Sequence, residues 1–168
     1  MKLSPTSRST IAERRSASVL RWLGALALLS VGIDHIEQYY ADYYRAVPTI
    51  GTLFVLNFAS AAVVGLALLA PLRRIAGRFA SQVVTFLALS GIAIAAATLA
   101  GLLVSENGGL FGFMEVGYRG AIVLSIALDA ATVVLLAAFL FLRSRPEPGR
   151  AAQSRLRVRS HTHKEIAT

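Results

Sequence analysis

Residues 119–142 read RGAIVLSIALDAATVVLLAAFLFL, and this stretch decides the fold. Between Arg119 and Arg143 there is one ionisable residue, Asp129. A helix needs about 20 predominantly apolar residues to cross the hydrocarbon core of a bilayer, and this run supplies them. Its few polar residues are not scattered. Tyr118, Ser125, Asp129 and Thr132 follow helical spacing and fall on one face, which turns apolar one turn later at Leu136. The reading is a helix with lipid around most of its circumference and a bundle interior on one side.

Three more such segments lie N-terminal to it, at about 79–104, 48–70 and 18–40. Pro48 suits the first position of the second span, because its missing N–H would be unpaired there in any case. Pro71 helps to end that span. The first span is unusual. Its uncharged run, Trp22 to Ile33, is only 12 residues long. To cross, it must take in the polar residues that follow. Trp22, Tyr39 and Tyr40 serve as interfacial anchors, and Arg21 snorkels to the headgroups. Asp34, His35 and Glu37 then lie within the outer third of the membrane. No small-x-small cleavage site follows the apolar run, so it reads as a retained span and not a signal peptide.

The expected fold is therefore all-α: a four-helix transmembrane bundle in up-down-up-down order, over residues 17–142. Residues 1–16 read as a flexible basic leader and 143–168 as a disordered basic tail. Composition agrees. The chain of 168 residues is 55% hydrophobic and only 15% charged, with a mean hydropathy of +0.62. A soluble domain carries about 25% charged residues. There is no cysteine, which excludes disulfides, thiolate metal sites and cysteine nucleophiles.

Of 17 Lys and Arg residues, 15 lie in the leader through Arg21, the link between the second and third spans, or the tail. Only Arg45 and Arg119 lie on the other side. The positive-inside rule puts both termini in the cytoplasm. Arginine over lysine, with abundant Ala, Gly and Val, points to a GC-rich bacterial source. The basic tail fits anionic lipid as its partner; nucleic acid is not needed to account for it.

Ionisable groups in hydrocarbon are costly and usually face the bundle interior, where they have partners or a function. Depth along the helices, at roughly 1.5 Å per residue, places His35 shallowest, Asn57 deeper and Asp129 near the midplane. With Asp34 they make an intramembrane polar cluster. On the first helix the expected inward stripe is Ala27, Ser30, Asp34 and Glu37. The second offers Asn57, Ser60 and Ala61, and the third Gly91, Ala95, Thr98 and Gly101, small residues that let helices approach closely. The cluster reads first as a hydrogen-bonded set that fixes helix register, and second as part of a proton or cation relay. Nothing polar continues the fourth helix beyond Thr132, which argues against a complete path through one chain.

Glu37, Glu106 and Glu115, with Asp42, make the outer face acidic. With His35 they form a usable metal-ligand set, although Asp-His-x-Glu is not a specific signature and the other histidines, His161 and His163, lie in the tail. No cofactor is predicted, and a bis-histidine haem within one chain is excluded. The loop NGGLFGFMEVGY at 107–118 reads as an interfacial cap, its glycines at 108, 109 and 112 permitting tight turns.

Two stretches carry a resemblance. One is Gly32-Ile33-Asp34-His35 leading through Tyr43-Tyr44-Arg45 to Val47-Pro48-Thr49-Ile50-Gly51-Thr52-Leu53-Phe54-Val55-Leu56-Asn57. The other is Gly108-Gly109-Leu110-Phe111-Gly112-Phe113-Met114-Glu115. Together they resemble a group of uncharacterised small actinobacterial four-span membrane proteins. That group shares a helix 1 histidine, an IPTIGxLFxLN-like stretch, a GLFGF loop ending in an acidic residue and, often, a carboxylate in helix 4. Val47 stands where its members usually have isoleucine. The resemblance covers the membrane core and not the tails. It implies four helices and a plasma membrane, and it marks His35, Asn57, Glu115 and Asp129 for testing. It supplies no reaction.

Three functions follow as expectations. The first is a non-enzymatic accessory or scaffold subunit with a membrane-protein partner or a second copy. The second is a small oligomeric proton or cation transporter or channel that uses Asp129. The third is a metal-dependent enzyme built on the outer His and carboxylate cluster.

Overall fold

A computed structural model describes residues 5–42, 44–111 and 120–145, with side chains from Arg15 onward. Among these residues the regular elements are helical. α1 is Pro5–Ala41, α2 is Pro48–Leu69, α3 is the single turn Leu72–Ile75, α4 is Ala80–Gly108 and α5 is Gly120–Ser144. Four segments are long and apolar enough to cross a membrane: Arg15–Ala41, Pro48–Leu69, Gly77–Gly108 and Gly120–Ser144.

The expected spans hold, with three differences. First, α1 reaches back to Pro5, so helix replaces much of the expected flexible leader. Proline is pre-organised for a first helical turn, and nothing between Thr6 and Arg15 breaks the helix. Second, α4 runs four residues past the expected end at Val104 and carries Glu106 and Asn107 on helix instead of loop. Asn107 Nδ2 donates back to the Leu103 carbonyl one turn earlier at 2.8 Å. Third, the link between α2 and α4 is ordered. Ala70 leaves α2 with extended backbone ahead of Pro71, then α3 and a 3-10 turn at Gly77–Phe79 follow. Most of the 107–118 loop lies outside the described residues. At its start Gly109 has φ 76°, as its expected turn requires, and Phe111 has φ 52°.

The long helices form a ring in which α1 packs on α2 and α5, α4 packs on α5, and α2 on α4 is the slightest of the four neighbour contacts. One end of the ring carries Tyr44 and the start of α5. The other carries Arg21, α3 and Arg143.

The two halves of the ring are built differently. Toward the Arg143 end the interior is closed by Ala25, Leu68, Val84, Ala88, Leu136 and Phe139, all buried. Glycines allow this closeness. A Cβ at Gly24 would meet Leu136 Cδ2 at 2.5 Å, and one at Gly91 would meet Leu136 Cδ1 at 2.7 Å. Leu136 thus wedges between α1 and α4. Arg143 Nη2 ties α5 to α4 through Ser81 Oγ at 2.6 Å. Toward the Tyr44 end the interior is polar, and it is not filled.

Candidate functional site

The polar interior begins on α1. Asp34, His35 and Gln38 are all buried, because α1 lies between α2 and α5 and covers a wide face. Asp34 and Gln38 are one turn apart on one face. Gln38 Nε2 donates to Asp34 Oδ2 at 2.8 Å and to Ser125 Oγ of α5 at 2.9 Å. The Ser125 hydroxyl donates in turn to Asp34 Oδ2. The protons balance. The amide's two hydrogens go to two acceptors, the hydroxyl accepts one and donates one, and the carboxylate oxygen accepts both. This triangle locks α1 to α5.

His35 Nδ1 donates to the Val31 carbonyl at 2.8 Å, so in the neutral ring Nε2 is an acceptor. The imidazole lies 5.0 Å from the Phe54 ring, which stacks on Tyr44 at 4.4 Å. These rings form a wall at the Tyr44 end. Across the bundle, Asn57 Nδ2 donates to Thr98 Oγ1, and Thr98 passes its own proton to the Ile94 carbonyl at 3.1 Å.

Two groups differ from the rest. Asp129 is 1% exposed, and neither carboxylate oxygen has a hydrogen-bond partner. Asn57 Oδ1 is also buried without one. Both residues line a cavity of about 340 Å³ together with His35, Gln38, Ser125 and Thr98. The rest of the wall is mostly apolar, with Tyr44, Ser60 and Ser105 its other polar residues. A cavity of this size falls in the range of small-molecule sites, which pair apolar walls with a few placed polar groups.

The expected cluster of Asp34, His35, Asn57 and Asp129 is therefore brought together, but its parts play different roles. Asp34 is satisfied within the triangle, while His35, Asn57 and Asp129 face the cavity. The expected inward stripe on α1 is rotated. Ser30 returns its proton to the Leu26 carbonyl at 3.0 Å, Glu37 is exposed, and the buried positions include Leu28, Val31 and His35. Gln38 was not singled out by the sequence reading, although its place one turn from Asp34 was the available signal. Of the outer carboxylates, Glu106 is half-buried on α4, Glu37 faces away from the bundle interior, and Glu115 lies outside the described residues. Among the described residues, no group of three or more His, Asp or Glu is placed to hold a metal.

No protein-family model matches the chain, and no curated protein or solved structure is similar to it.

Proposed function

We propose that the protein is a non-enzymatic membrane subunit that holds a small molecule in the cavity floored by Asp129. The observation that carries this is the unsatisfied acceptor set. A buried polar atom without a partner costs about 1–3 kcal/mol, and more when charged. Asp129 and Asn57 carry three such oxygens, both residues line one cavity, and a bound ligand supplies the missing donors. Gly120–Ser144 would otherwise be better served by an apolar residue at position 129.

Orientation and place follow from charge. Arg73, Arg74, Arg78, Arg143 and Arg145 cluster at one end of the ring, and Arg45 stands at the other. By the positive-inside rule the Arg143 end is cytoplasmic and carries both termini, in the plasma membrane of a bacterium. The resemblance to small actinobacterial four-span proteins fits that placement. The cavity then opens in the outer half of the membrane. Anionic lipid is the partner of the basic tail.

Native mass spectrometry of the chain extracted gently from its own membrane tests the proposal. The wild type is expected to carry a reproducible small-molecule mass that Asp129→Asn loses. A bare chain, or a mass indifferent to position 129, overturns it.

Transport of protons or a small cation is the second reading, favoured by the mid-bundle carboxylate. The closed apolar half from Leu136 to Phe139 opposes it, since it gives an ion no polar route onward. Reconstituted vesicles are expected to show no Asp129-dependent proton or sodium flux, and flux lost in Asp129→Asn would establish transport instead.

A further inference from the structure

The cavity has a particular shape of opening. Leu53, Leu56 and Ser60 recur at helical spacing on α2, and Ala97 stands opposite on α4; all four line the cavity and are exposed. Leu56 is 55% exposed. The mouth therefore lies along the seam where α2 and α4 touch least. In a membrane this surface faces lipid chains and not water. A molecule that enters there must be soluble in hydrocarbon.

Its polar end is constrained by the floor. The unpartnered atoms are both oxygens of Asp129 and Oδ1 of Asn57, all acceptors. His35 offers an acceptor at Nε2, since Nδ1 is committed to Val31. Asn57 Nδ2 gives one of its two N–H groups to Thr98. Among the described residues the lining contains no lysine or arginine, and Asp34 lies close behind it, bonded to the lining residues Gln38 and Ser125. An anionic head would meet two carboxylates and, among the described lining residues, no counter-charge. An ammonium has three donors and no acceptor, and its charge complements Asp129. The aromatic wall of Phe54 and Tyr44 adds ring faces that attract a cation.

We infer that the occupant is a lipophilic primary amine, taken in sideways from the bilayer through the α2–α4 seam, with its ammonium on Asp129 and Asn57 and its tail along Leu53, Leu56 and Ile94. This rests on the binding reading above and adds the ligand's class and its route.

The test uses the full chain in mild detergent, titrated with n-octylamine, n-octanol, octanoate and octyltrimethylammonium, with Kd read by calorimetry and Tm by thermal unfolding. Octylamine is expected to bind saturably and raise Tm. Octanoate carries the opposite charge, octyltrimethylammonium lacks the N–H donors, and both are expected to bind at least tenfold more weakly. Asp129→Asn should weaken octylamine at least tenfold. Leu56→Trp, a change at the exposed mouth that leaves the core untouched, should also weaken it. Octanol binding as tightly as octylamine, or octylamine binding unchanged by Asp129→Asn, overturns the ammonium assignment. Unchanged binding in Leu56→Trp overturns the route. A native mass that carries no amine overturns the ligand class while leaving the binding reading in place. No native mass and no probe binding sink both.

Discussion

Asp34 and Asp129 carry the same side chain in the same half of one bundle, yet their surroundings give opposite expectations for substitution. Asp34 accepts from Gln38 and Ser125, so Asp34→Ala leaves two buried donors without their acceptor. Thermal unfolding in detergent should show a loss of about 1–3 kcal/mol. Asp129 has no partner to orphan. Asp129→Leu removes a buried unsatisfied group, so the ligand-free protein should be as stable as the wild type or more so; a loss as large as that of Asp34→Ala would show that Asp129 has a structural partner. Stability given up at one residue is a common mark of a binding site. The sequence made both aspartates legible as intramembrane carboxylates, because charge in an apolar run stands out. It did not separate them. What separates them is a contact between residues 87 positions apart, Gln38 to Ser125, and helical periodicity within one segment carries no information about such pairs.

Among the elements, α5 was the most legible and α1 the least. The polar face of α5 at Ser125, Asp129 and Thr132 is buried as its spacing requires, and so is the apolar continuation at Leu136. The face of α1 was misread by a fraction of a turn, since α1 buries residues toward two neighbours at once and its wide interior face has no clear centre in the sequence. The apolar run of the third span ends at Val104, while α4 continues through Glu106 and Asn107 to Gly108. Polar residues end a span, but they do not end a helix. Leu136 and the glycines opposite it test how tightly the elements are locked. Leu136→Ala should cost about 2–5 kcal/mol, as large-to-small changes in packed cores do. Gly91→Leu forces a side chain against Leu136 and should cost about 1–3 kcal/mol. Chemical or thermal unfolding measures both, and the two costs should not add, because they share one contact.

At the scale of the whole molecule, four helices long and apolar enough to span were readable from hydropathy, and the distribution of arginine predicts both termini on the cytoplasmic side. The lack of native cysteine makes the topology directly testable. Single cysteines introduced at Ser16 and at Arg145 should resist a membrane-impermeant thiol reagent in intact cells and react after lysis. One at Asp42 should react in intact cells. Reaction at all three before lysis would refute the topology. The half-and-half interior, closed by Leu136 and Phe139 at one end and open beside Asp129 at the other, was not readable, because it depends on how four faces meet. One consequence concerns dose. A mouth bordered by Leu53, Leu56 and Ala97 samples the acyl chains around it, so occupancy tracks the mole fraction of a compound among the lipids. Diluting a suspension of vesicles would leave occupancy of a strongly partitioning compound nearly unchanged, whereas adding empty vesicles would strip the site.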